Sequence, residues 1–131
     1  MPTDRIRLQS LLAFDAATCA AMAALLLAAA DPVAALTRLP APLLFWAGAA
    51  LLPVAAFMAV CSRAAPVPRW AARLAVAGNA AWVLASIALP AFGLVRPNVL
   101  GWAFLLGQAA VVALLAKLEH DADAAAAVAA R

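Results

Sequence analysis

The sequence predicts an all-α protein, an antiparallel up-down-up-down bundle of four transmembrane helices. Composition comes first. Hydrophobic residues make up 69% of the 131 residues and charged residues 11%, whereas a soluble domain holds about 45–50% apolar and about 25% charged residues. The second observation is length: the apolar residues form four runs, each near the ~20 residues that cross a ~30 Å hydrocarbon core. The third is their evenness. The runs are apolar on every side, so they lack the polar face that a water-facing helix requires.

The first run covers 8–30 and is interrupted by Gln9, Ser10, Asp15 and Thr18. The second covers 42–61 and contains Pro53, the one proline inside a run and an expected helix kink. The third covers 70–89, with Arg73 in its first turn, and the fourth covers 99–118, with Lys117 in its last turn. Prolines punctuate the gaps: Pro32, Pro40 and Pro42, then Pro66 and Pro68, then Pro90 and Pro97. Proline cannot continue a helix and biases its predecessor towards extended backbone. The three loops are short, so consecutive helices are expected to be antiparallel neighbours. Alanine favours helix, and the chain has no Tyr and no period-two alternation, which argues against a transmembrane barrel.

The start of the chain has a second reading. Arg5 and Arg7 ahead of an apolar run ending in Ala28-Ala29-Ala30 look like a secretory signal. The run is long for a signal core of roughly 7–15 residues, and Asp15 interrupts it, so a spanning helix is the preferred reading. Segment 119–131 is expected to be an alanine-rich cytoplasmic tail that continues the fourth helix, with His120 solvated among acids.

Basic residues set the expected orientation. Arg5, Arg7, Arg63, Arg69, Arg73, Lys117 and Arg131 fall on one side, and only Arg38 and Arg96 on the other. By the positive-inside rule both termini and the middle loop are expected to be cytoplasmic. Trp46, Trp70 and Trp102 stand near span ends, where an indole meets both lipid and water. Trp82 lies deeper and needs a partner for its N–H.

Three strongly polar side chains lie inside the runs: Asp15, Asn79 and Gln108. At ~1.5 Å per residue they stand about 12, about 9–15 and about 13 Å from the basic residues flanking their runs. Pro53, counted from Arg63, stands at about 15 Å. A single polar layer is therefore expected. Asp15, Thr18, Cys19 and Met22 share one helical stripe, and Asn79, Trp82 and Ser86 share another. An intramembrane carboxyl costs at least ~2.5–3.5 kcal/mol and turns inward for donors. The candidate site is therefore Asp15, Asn79, Gln108, Thr18, Ser86 and Trp82. Gly48, Gly78, Gly101 and Gly107 are expected to allow close helix contact.

Other chemistry finds no support in the sequence. The net charge of +3 comes from single basic residues without an aromatic platform, so no nucleic-acid partner is expected. Cys19 and Cys61 form no CxxC and read as small buried hydrophobes. One histidine and no nucleophile–base pair imply no metal, no cofactor and no enzyme activity.

Asp15, Leu39-Pro40, Asn79-Ala80-Ala81-Trp82-Val83, Gly107-Gln108-Ala109 and Leu118-Glu119 give a pattern that resembles the uncharacterised short four-span integral membrane proteins of bacteria. That resemblance implies the four-span fold and no activity. Small multidrug exporters fit less well, since they have a Tyr/Gly-rich third span. Dual-topology fluoride channels have balanced flanking charges, and quinone-reducing four-helix oxidoreductases have a membrane-edge CxxC. The leading expectation is a non-catalytic accessory, assembly or stabilising component, contacting itself or another membrane protein through Gly/Ala-rich faces. The alternative is a homo-oligomeric transporter or channel for small solutes or ions, with Asp15 as its proton or cation site.

Overall fold

The computed structural model describes the backbone of residues 2–131 and side chains from Arg7 onward. Arg5, one of the orienting residues, lies outside the described side chains. Five helices follow one another: α1 (Pro2–Ala28), α2 (Ala30–Thr37), α3 (Ala41–Ser62), α4 (Arg69–Ala91) and α5 (Val99–Ala129). There is no strand among the described residues. All but α2 are long and apolar enough to cross a membrane. The chain is a small all-α, multi-pass membrane protein.

The short α2 departs from expectation, since Pro32 lies inside it rather than in a loop. Proline fits the first turn of a helix because its missing N–H has no intrahelical partner there. Ala29 breaks the continuity with α1, and α2 ends at Arg38, which adopts φ 59° and donates its N–H to the Ala34 carbonyl. Pro40, in extended backbone, then opens α3. That helix runs unbroken through Pro53 to Ser62. Among the described residues no side chain donates to the Ala49 carbonyl that Pro53 leaves free.

Helix α1 is the spine. Its buried residues Leu8, Leu12, Asp15, Cys19, Ala23 and Leu26 recur at three- and four-residue intervals. They meet the matching stripe Leu44, Gly48, Leu51, Ala55, Met58 and Cys61 of α3. On its other side α1 packs on α5, and α5 packs on α4. The ring closes poorly: the backbones of α3 and α4, consecutive in sequence, approach each other at few points, and Phe57 and Trp70 bridge them with ring centroids 6.1 Å apart. Short loops made them expected neighbours. The structure leaves a seam between them, and α1 and α4 face each other diagonally across the bundle.

The end of the bundle away from the termini is tied by polar contacts. Asn98 caps α5 by accepting from the Gly101 N–H at 2.8 Å, and its Nδ2 donates to the Leu36 carbonyl at 2.8 Å. Its own N–H reaches the Thr37 carbonyl at 3.1 Å. A Cβ at Gly101 would collide with that Thr37 oxygen, and one at Gly48 would sit 2.8 Å from the Leu26 Cβ. Gly78 and Gly107, expected to be close contacts as well, have nothing within 4 Å of an added Cβ. Trp46 and Trp70 stand well exposed at opposite ends, and Trp102 is partly exposed.

This contrast yields a prediction. Gly101→Ala is expected to destabilise the protein by about 1–3 kcal/mol through overpacking against backbone. Gly107→Ala is expected to be neutral or stabilising by up to about 1 kcal/mol through helix propensity. Thermal unfolding in a mild detergent separates the two, and equal losses would contradict the packing described.

Candidate functional site

The α1 stripe carries Asp15 into the bundle, where it is 1% exposed. From the diagonal helix, Asn79 reaches across, and its Nδ2 donates to Asp15 Oδ2 at 2.6 Å and to Glu119 Oε2 at 3.2 Å. Glu119 itself is 0% exposed. Two carboxyls thus share one amide nitrogen. The Cys19 thiol lies 3.6 Å from Asp15 Oδ1, a sulfur hydrogen bond within one helical turn. Among the described residues nothing partners Glu119 Oε1.

A second polar cluster lies further along. Trp82 donates Nε1–H to Gln108 Oε1 at 2.7 Å, which supplies the partner its depth required. Gln108 Nε2 donates to Ser86 Oγ at 2.8 Å and to the Leu105 carbonyl at 2.9 Å. Ser86 in turn donates to the Trp82 carbonyl at 2.8 Å. Gln108 precedes Glu119 by eleven residues of the same helix, which is about 16 Å at ~1.5 Å per residue.

The single polar layer is therefore corrected to two. Asp15 and Asn79 belong to one, and Trp82, Ser86 and Gln108 to the other. Thr18 joins neither network, since its hydroxyl donates to the Asp15 carbonyl of its own helix at 2.8 Å. The depth count took Lys117 as the edge of the buried segment, and the burial of α5 extends past it. In the structure α5 runs on to Ala129 and keeps Glu119, Ala122 and Asp123 buried.

Glu119 is the residue that sequence reasoning missed, having placed it in a solvated tail. A usable signal existed: Leu115, Glu119 and Ala122 extend the buried stripe at four- and three-residue spacing. The outer face of the same turns is polar. Lys117 pairs with Asp121 at 2.7 Å on the exposed side, and His120 is exposed as expected. Water-loving side chains on α5 thus reach the height of the carboxyl pair.

Above the pair lies a cavity of about 270 Å³ with walls from α1, α3, α4 and α5. Its polar lining is Thr18, Cys19, Asn79, Trp82 and Gln108, and its apolar lining includes Met22, Leu51, Val54 and Val111. A further cavity of about 320 Å³ runs along the α3–α4 seam past Pro53, Phe57, Leu74 and Gly78. The cavity beside the carboxyls thus adjoins the seam on the lipid-facing side. Both cysteines are buried free thiols. Among the described residues no group of three or more His, Cys, Asp or Glu is arranged to hold a metal ion. No protein-family model, curated protein or solved structure matches the chain.

The upper cluster yields a prediction through its two partners. Gln108→Leu leaves the Trp82 N–H buried without an acceptor and is expected to cost about 1–3 kcal/mol. Adding Trp82→Phe removes the orphaned donor and is expected to restore part of that loss. A thermal double-mutant cycle reads the coupling, and strictly additive losses would argue against the 2.7 Å bond.

Proposed function

We propose that the chain is a small secondary transporter of a bacterial inner membrane, in which Asp15 and Glu119 form a shared proton site. Both termini and the 63–68 loop face the cytoplasm on this reading. The distribution of basic residues supports that orientation.

One observation carries the proposal: two buried carboxyls meet a single amide nitrogen, and one carboxyl oxygen has no partner among the described residues. Packing alone gives no reason for such a group. A polar contact between membrane helices contributes ~0.6 kcal/mol on average. A buried polar atom left unsatisfied costs about 1–3 kcal/mol. A half-satisfied network is less stable than apolar side chains of the same shape.

Proton exchange accounts for it. Two carboxylates on one donor in a low-dielectric site repel each other, and one proton held between them relieves the repulsion. The unpartnered oxygen is a position for that proton. The polar outer face of α5 at Lys117, His120 and Asp121 brings water close to the pair, which gives the proton a short route to the aqueous phase. The adjoining cavity supplies room for a solute. Together these are the elements of coupled transport: a titrating group and a binding space that share Asn79.

The test is electrical. A pH jump applied to proteoliposomes on a solid-supported membrane is expected to give a transient current. Asp15→Asn and Glu119→Gln are each expected to abolish it while the protein stays folded. A current that survives both replacements, or a folded native protein that gives none, would sink the proposal.

A further inference from the structure

The polar groups that line the cavity share a property that only a count of hydrogens brings out. Every polar hydrogen among them is already committed. The Thr18 hydroxyl donates to the Asp15 carbonyl, and the Cys19 thiol donates to Asp15 Oδ1. The Asn79 amide donates to both carboxyls. The Trp82 N–H goes to Gln108, and the Gln108 amide goes to Ser86 and the Leu105 carbonyl. What remains for a ligand is acceptor capacity. Asn79 Oδ1 has no hydrogen bond among the described residues, and the Thr18 oxygen keeps its lone pairs. A polar molecule in this cavity must therefore donate.

Charge narrows the choice. The Asn79 amide points its N–H groups at two carboxyl oxygens. That polarises the amide and makes its Oδ1 a stronger acceptor. A negative or acceptor-only ligand would meet unpaired lone pairs and two acids behind them. A cation with N–H groups meets complementary charge. The remaining walls are apolar, and the α3–α4 seam opens towards lipid.

From this geometry we infer that the cavity binds a small lipid-soluble amine in its ammonium form, with N–H groups on Asn79 Oδ1 and Thr18 Oγ1 and its apolar body along Met22, Val54 and Val111. The inference rests on the proton-exchange reading, because the ammonium takes the place of the proton as the positive charge beside the pair. When the ammonium is bound, Asp15 and Glu119 release their shared proton to water, and the net charge of the site is unchanged. Amine and proton occupy adjoining sites and exclude each other through charge, which is the coupling that exchange across a membrane needs.

Calorimetry on the detergent-solubilised protein tests this with three probes of one shape. The 2-phenylethylammonium ion has charge and donors. Its N,N,N-trimethyl analogue has charge without donors, and 2-phenylethanol has one donor without charge. The ammonium is expected to bind at least about tenfold more tightly than either analogue. It is also expected to release about one proton per bound probe in weak buffer. Gly78 also lines the ligand cavity, and an added Cβ there meets nothing within 4 Å, so Gly78→Leu projects a side chain into that space. This variant is expected to abolish binding and keep the pH-jump current. If it does not fold, Thr18→Val removes one acceptor and is expected to weaken the ammonium about tenfold. Equal affinity for the trimethyl analogue, or binding that ignores both variants, overturns the inference. Failure of all three probes with the current intact overturns the ligand class and leaves the proton site standing. Loss of the current in the native protein overturns both.

Discussion

A carboxyl group enclosed by hydrocarbon must find a donor, and in this bundle one side-chain nitrogen answers for two of them. The Nδ2 of Asn79 holds Asp15 of α1 and Glu119 of α5 from the helix that lies diagonally opposite α1. The backbones of α1 and α4 do not come into contact. The amide is therefore the tie between them, and its two N–H groups are fully used. The shortage shows at Glu119 Oε1, which has no hydrogen-bond partner among the described residues.

The packing makes the shortage possible. α1 is clasped along its length by α3 and flanked by α5, so its buried stripe is set by close, small-residue contact, as at Gly48. The end away from the termini is closed by Asn98, which ties the last loop to α2. Between α3 and α4 no such tie exists, and the bundle opens there. Apolar helices in lipid gain little by closing a seam, since lipid tails are as apolar as leucine. The opening is thus energetically inexpensive, and it lies beside the one part of the interior that is polar.

Part of the site was legible from residue type and spacing. Asp15 in an apolar run demanded an inward position, and the stripe through Asn79, Trp82 and Ser86 put the carboxamide and the indole on the face that meets it. Trp82 required an acceptor at depth, and Gln108 supplies it. Glu119 was not legible in the same way. A charged residue two positions beyond a lysine, followed by more acids, has the composition of a solvated tail. Its place on the stripe of Leu115 and Ala122 was the one sign against that, and the packing of α5 on α1 turns the side chain inward. Gly78 and Gly107 show the converse. Small residues permit close approach without requiring it, and here both stand in open space.

The amino-acid sequence by itself determined the four apolar helices long enough to cross a membrane and the inward demand of the buried acid. Each of these is a local consequence of hydrocarbon excluding charge and unbonded backbone. Tertiary structure decided which polar groups meet, because that depends on the relative heights of helices and on which pairs stay apart. Heights are set by how far each helix runs past its flanking charges, and pairing by interhelical packing. Neither quantity is written in the spacing of any one segment.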